Sequence, residues 1–114
     1  MPTLRFNPLF MILCREYVKR HPRVARNPKE FVRRCGRYAA YMLEENFDLD
    51  PRRILSREAP RNLEKLVAVY IPKEDADKIR SLLEKYGIFK TLSSFYYFSA
   101  LMVLLGNWEL PPRI

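Results

Sequence analysis

PKEDADKIRSLLEKYGIFKTLSSFYYFSALMVLLG, residues 72–106, decides the fold, because it reads as two helices joined by a short turn. The first helix places apolar residues three and four positions apart, which forms one apolar stripe on an otherwise charged helix. Gly87 can take the left-handed conformation that ends a helix. Thr91 can cap the second helix, and Gly106 ends it. The stretch therefore predicts a helical hairpin.

The second helix of this hairpin has almost no polar face. It contains four consecutive aromatic residues, Phe95, Tyr96, Tyr97 and Phe98. At 100° per residue the four rings point all round the helix axis, and a helix that is apolar on every side must be covered on every side. A chain of 114 residues offers little else to cover it. We therefore expect the four rings to lie at an interface with another subunit or with lipid. We place Trp108 of the tail at the same interface, with packing back onto the body of the protein as the alternative.

Asx-Pro pairs mark the starts of three further helices: Asn7-Pro8, Asn27-Pro28 and Asp50-Pro51. Asn or Asp caps a helix, and proline suits its first turn. The pairs predict helices over about 8–20, 28–47 and 51–57, and we expect residues 9–14 of the first to be buried. A β-branched segment stopped by Pro72 predicts one short strand at 65–71. The expected fold class is mainly α, a small bundle of four to five helices.

The net charge of +8 lies entirely in the first third of the chain. Residues 1–37 hold ten Lys or Arg against Glu16 and Glu30, whereas residues 38–114 hold eleven charges of each sign. Eight of the ten are arginine, whose planar fork suits phosphate oxygens. A surface that only confers solubility usually mixes the signs. We expect a nucleic-acid partner, with anionic lipid or an acidic protein as the alternatives.

The basic residues of the second helix form a row. Lys29, Arg33 and Arg37 recur every four residues, and like charges at that spacing repel. A polyanion lying along the row would relieve the repulsion. The candidate nucleic-acid-binding residues are Arg15, Lys19, Arg20, Arg23, Arg26, Lys29, Arg33, Arg34, Arg37, Arg52 and Arg53. Arginine clusters without Asn, Gln or Ser placed to read base edges predict sequence-independent binding.

The sequence contains no recognisable catalytic constellation. Its three glycines cannot form a phosphate-binding loop of Walker or Rossmann type. Cys14, Cys35 and the single His21 fall short of the four ligands of a zinc site. We expect no enzyme, no metal and no cofactor, and buried free thiols in preference to a disulfide. The composition contains no glutamine and is rich in Arg, Lys, Glu and Pro, which favours a hyperthermophilic source. In such an organism an intracellular disulfide between the two cysteines stays an open alternative.

We treat the chain as one domain with four parts. Residues 1–57 are the basic helical part that faces DNA, 58–72 a connector, 73–106 the hairpin that mediates assembly, and 107–114 a tail. No apolar run approaches the roughly 18 residues of a membrane span, and the first residues are not of signal-peptide type. We expect an intracellular protein, or one assembled inside a cell.

A short strand ending at a proline, an amphipathic helix, a glycine and a second helix resemble the ribbon-helix-helix DNA-binding proteins. VAVYIP (67–72), the helix to Tyr86, Gly87 and the second helix match in order and length. In that family alternate strand residues read bases, whereas neither alternating set of this strand carries a good base-reading group. The resemblance implies a transcriptional regulator that binds DNA as a dimer, which is our alternative hypothesis.

A second resemblance is to the major capsid proteins of filamentous viruses of hyperthermophilic archaea, of the rudivirus, lipothrixvirus and tristromavirus kind. SLLEKYGIFKTLSSFYYFSALMVLL (81–105) is similar to their helix, Tyr-Gly-Ile turn and apolar helix. The similar residues are Leu83, Tyr86, Gly87, Ile88, Phe95, Tyr96, Ala100, Leu101 and Val103.

This second resemblance implies a small subunit that dimerises with itself or a paralogous chain and then polymerises. It also implies that basic N-terminal helices wrap double-stranded DNA, in a virion assembled in the host cytoplasm and in some cases enveloped by lipid. We therefore predict a structural protein that packages DNA.

Overall fold

The computed structural model describes residues 3–45, 67–87, 89 and 91–112. Within these ranges the chain forms, in order, β1 (Thr3–Phe6), α1 (Pro8–Arg20), α2 (Pro28–Glu44), β2 (Val67–Tyr70), α3 (Lys73–Tyr86) and α4 (Leu92–Leu104). The predicted mainly α fold class is confirmed. The helix predicted over 51–57, and with it Arg52 and Arg53, lies outside the described residues.

The helix starts follow the predicted caps. The side-chain oxygen of Asn7 accepts a hydrogen bond from the backbone N–H of Leu9, and that of Asn27 accepts one from Glu30, both at 2.8 Å. The Thr91 hydroxyl accepts from the backbone N–H of Ser94 at 3.1 Å. Each bond satisfies an N–H group that the first turn of a helix leaves without an intrahelical partner.

The turn between α3 and α4 begins at Gly87, as predicted. Gly87 has φ 64° and ψ 26°, in the left-handed region, and its backbone N–H donates to the carbonyl oxygen of Leu83 at 2.8 Å. A residue without a Cβ adopts this conformation at no steric cost. The hairpin predicted from residues 72–106 is therefore present.

The two strands form one antiparallel sheet, in which Leu4 lies opposite Val69 and Thr3 opposite Tyr70. Because side chains alternate along a strand, Leu4 and Val69 point into the core and the other pair points outward. The strand predicted at 65–71 is described over Val67–Tyr70. Strand β1 was not predicted, because an alternation over only four residues is a weak signal for a strand.

Helix α4 is the centre of the fold. It packs against α1, α2, α3 and β1, and the side chains of Phe95, Tyr96 and Phe98 are at most 1% exposed. The expectation that the rings at 95–98 need a second subunit or lipid to cover them is therefore wrong for these three. Three helices and a small sheet, all from the same chain, suffice to surround one helix of thirteen residues.

The remaining two residues of the predicted assembly interface also pack onto the body of the protein. Tyr97 is half-buried, and its ring centroid lies 4.8 Å from that of Phe10 on α1. Trp108 places its ring 5.8 Å from Phe98 and 5.9 Å from Tyr38, edge to face in both cases. Tyr97 thus has an intramolecular contact that was not predicted, and Trp108 packs onto the body of the protein, which was the alternative predicted for it.

Helix α1 is less buried than its apolar sequence suggested. Phe10, Met11 and Cys14 lie in the core, but Leu9 is 65%, Ile12 44% and Leu13 50% exposed. The expectation that the whole run 9–14 is buried is therefore wrong. A run of six apolar residues spans more than one helical turn, and α1 contacts the body along one side only.

Candidate nucleic-acid interface

Six of the predicted cations form what we call the basic surface. They extend from the second half of α1 through the linker at 21–27 to the first turn of α2, and all six side chains are exposed: Arg15, Lys19, Arg20, Arg23, Arg26 and Lys29. Segment 15–29 contains one carboxylate, that of Glu16, so its net charge is +5. The structure therefore places a continuous stretch of cations at the surface.

The linker that carries Arg23 and Arg26 is held against the core. Val24 and Ala25 between them are buried, and the backbone N–H of Val24 donates to the carbonyl oxygen of His21 at 3.0 Å. The two buried residues hold this backbone in place, and the arginines on either side of them are exposed. The basic surface is thus presented on a supported segment, which lowers the entropy lost when a ligand binds.

Glu16 neutralises only part of this surface. Its Oε1 lies 3.5 Å from the Lys19 ammonium and 4.0 Å from the Arg15 guanidinium, while Arg20 donates from Nε to the backbone oxygen of Glu16 at 3.4 Å. These contacts are exposed, and exposed ion pairs contribute little. All three cations therefore stay accessible to an anion from solvent.

Three other predicted residues have structural partners. Arg37 donates from Nε to Asp75 Oδ2 of α3 at 2.6 Å, and Arg33 donates from Nη1 to the backbone oxygen of Tyr70 at 3.4 Å. Arg34 donates to the carbonyl oxygens of Val24 and Pro111. These side chains connect α2 to α3, to β2, to the linker and to the tail, although the Arg37 side chain remains 56% exposed.

Of the ten basic residues at 1–37, the predicted binding residues left out Arg5. Arg5 lies on the outer face of the sheet, opposite Ala68, beside the outward pair of Thr3 and Tyr70. Tyr70 is 54% exposed. The alternation polar–apolar–polar–apolar in TLRF (3–6) was the available signal, and recognising β1 would have placed Arg5 on this face.

The two thiols lie in the core, where burial disfavours the charged thiolate. Burial raises the pKa of Cys14 from 9.0 to about 12. Burial, reinforced by the neighbouring Cys14, raises the pKa of Cys35 well above its ordinary value. Both are free cysteines, and a protonated thiol is a poor nucleophile and metal ligand.

Two further properties of the described part of the chain bear on ligands. It contains no group of three or more His, Cys, Asp or Glu side chains that could hold a metal ion. Within the same ranges, every helix is too short or too polar to traverse a bilayer.

Comparison with known proteins adds no relative. No protein-family model, no curated protein and no solved structure matches the chain.

Proposed function

We propose that this protein is a structural nucleic-acid-binding protein that coats and packages double-stranded DNA without regard to sequence, as a capsid subunit does. The observation that supports the proposal is the basic surface, six exposed cations on a supported backbone with one carboxylate among them. Phosphate contacts of this kind fix a protein on a duplex but carry no sequence information. Four of the six are arginines, which bind phosphate oxygens through two parallel donors.

Salt dependence measures how many of these cations meet phosphates. Each neutralised phosphate of B-DNA contributes about 0.9 to the slope of log affinity against log salt concentration. If four to six cations make contact, the slope is about −4 to −5. The value should be the same for duplexes of unrelated sequence, because backbone phosphates are the same in all of them.

A pair of charge-matched variants tests the location of the interface. Arg23→Ala/Arg26→Ala removes two cations from the basic surface, and Lys73→Ala/Arg80→Ala removes two exposed cations from α3. Fluorescence anisotropy on two unrelated duplexes should show at least a tenfold loss of affinity and a slope shallower by about 2 for the first variant, with little change for the second. Equal losses for both would mean that only net charge matters and would contradict the assignment.

The packaging part of the proposal needs a separate measurement. It draws on the resemblance of residues 81–105 to capsid proteins, and the burial of α4 means that its rings at 95, 96 and 98 do not supply the contact between subunits. Electron microscopy of the protein mixed with long duplex DNA should show continuously coated filaments of constant diameter. Naked DNA at saturating protein would overturn packaging while leaving binding intact.

The sheet supports a second candidate function, a regulator that reads a defined DNA site. A two-stranded antiparallel ribbon fits the major groove, and the outer face of this sheet exposes Thr3, Arg5 and Tyr70. Arginine is the commonest side chain for reading guanine. This candidate predicts one preferred sequence among random duplexes and loss of the preference in Arg5→Ala. Selection from a random-sequence DNA pool distinguishes it from the coating protein, which yields no consensus.

A further inference from the structure

The exposed face of α1 changes character along its length. In its first two turns it presents Leu9, Ile12 and Leu13, which are 65%, 44% and 50% exposed. These positions are three and four residues apart and therefore share one side of the helix. In its last two turns the exposed residues are charged, and five of the six cations of the basic surface lie at or beyond Lys19.

We infer that this face of α1 docks on an anionic membrane surface, with the three apolar side chains inserted among the lipids and the adjoining cations on the headgroups. Amphipathic helices with leucine-type side chains beside Lys and Arg bind in the plane of the interface in this way. The inference goes beyond the proposed DNA packaging: it shares cations with the basic surface, but it also rests on the apolar half of the helix, which the proposed DNA contact does not use.

The size of the apolar patch argues for lipid over a second copy of the chain. Together the three side chains expose less than two full side chains' worth of surface. A stable protein interface needs about 800 Å² on each partner, far more than they provide. A second copy would also bring the net positive charge of residues 15–29 against another like it, which is unfavourable.

The cations beside the apolar patch add the membrane affinity that the small apolar area cannot provide alone. One modest apolar anchor gives only marginal, reversible attachment to a bilayer, and stable attachment takes a second signal such as a polybasic segment. Cations near an anionic leaflet provide that signal. Here Lys19, Arg20 and Arg23 lie at the end of α1 and just beyond it, and all three are exposed. The apolar patch and the cations together therefore favour an anionic membrane over a neutral one.

Vesicle flotation with the full chain tests the inference. The probes are vesicles of phosphatidylcholine alone and vesicles in which phosphatidylglycerol replaces part of it. Binding should be confined to the anionic vesicles. Leu9→Gln/Leu13→Gln should lower the partition coefficient about tenfold or more, because it removes two inserted side chains. Glutamine is a good helix former, and both positions are exposed, so the variant should keep the parental melting temperature.

Tyr41→Gln/Tyr70→Gln is the matched control, since it removes two side chains that are 56% and 54% exposed on α2 and β2. The partition coefficient of this variant on anionic vesicles should equal that of the parent. Equal binding to both kinds of vesicle, or an unaffected Leu9/Leu13 variant, would overturn the inference. So would a parental dimer that this variant dissociates in sedimentation, because a second copy would then cover the face. Loss of DNA affinity in the same variant would assign the face to the nucleic acid instead.

Discussion

The ring of Tyr96 lies directly against the backbone of Gly36, where α4 passes α2. A Cβ built on Gly36 would lie 2.0 Å from Cε1 of Tyr96 and 2.4 Å from its Cδ1. Both residues are buried, and Tyr96 is completely inaccessible. The glycine in the middle of α2 therefore permits a close contact between α2 and α4. Its missing side chain matters more at this position than its backbone flexibility.

Gly36→Ala should destabilise the protein by about 1–3 kcal/mol. In an exposed helix the same change would stabilise by nearly 1 kcal/mol through helix propensity, but here the added methyl group overpacks a core whose ring cannot swing into solvent. Urea unfolding measures the difference. In a Tyr96→Val background the clash is gone, so the same substitution should become neutral or stabilising. A double-mutant cycle without coupling would contradict the contact.

Removal of two tyrosine hydroxyls, that of the fully buried Tyr96 and that of the partly buried Tyr86, should change stability in opposite directions. Among the described residues, the Tyr96 hydroxyl has no hydrogen-bond partner, whereas the Tyr86 hydroxyl donates to the carbonyl oxygen of Leu43 at 3.1 Å. Tyr96→Phe should therefore be neutral or stabilising, because it removes a desolvated polar group. Tyr86→Phe should cost about 1 kcal/mol. Thermal unfolding of the two variants side by side checks the order.

Gly87 should show a cost that comes from backbone conformation alone. A Cβ at this position would meet no described atom within 4 Å, but φ is 64°. Gly87→Ala should destabilise by about 1 kcal/mol and Gly87→Val by more, since a β-branched residue resists positive φ. Gly87→Asn is the control and should recover much of the loss, because asparagine tolerates the left-handed region. Equal losses for all three variants would indicate a steric cause.

Alkaline pH should destabilise the protein through its buried thiols. The pKa of Cys14 is about 12 in the folded chain and 9.0 ordinarily. Above pH 9 the unfolded chain releases this proton while the folded chain retains it, so the free energy of unfolding falls as pH rises, by at most about 1.4 kcal/mol per pH unit from this group. Cys14→Ala should flatten the decline between pH 9 and 12. Val18→Ala, a buried neighbour without a titrating group, should keep the parental slope.

Local signals in the sequence predicted most of the fold. The cap at Asn27 acts on an N–H three residues away, and the stop at Gly87 acts on a carbonyl four residues away, so both can be read from short windows. The surroundings of α4 could not be predicted. The periodicity of apolar residues shows which side of an amphipathic helix is buried. A helix that is apolar all round gives no such information about its neighbours. Whether the cover comes from the same chain depends on the tertiary arrangement.

The candidate site divides in the same way. The cations at 15–29 could be predicted, because charge excess in a short segment requires no knowledge of the fold. The structural use of Arg33, Arg34 and Arg37 could not, since their partners lie between 10 and 77 residues away in the chain. Such partners become neighbours only after α2 packs against α3, β2 and the tail.

Replacing Tyr96 with serine should unfold the protein and not dissociate an assembly. The side chain is fully buried within one chain, so truncation should leave a cavity and lower the free energy of unfolding by about 3–5 kcal/mol, as other large aromatic truncations do. Tyr41→Ser, at a 56% exposed tyrosine, should change it by less than about 0.5 kcal/mol. Urea unfolding of the parent at two widely different protein concentrations completes the comparison. An intramolecular core gives the same midpoint at both, whereas an obligate assembly built on α4 gives a midpoint that rises with concentration. If the parental midpoint rises in this way and the Tyr96→Ser variant is folded and monomeric, the rings of α4 lie at a subunit interface, and the intramolecular assignment is wrong.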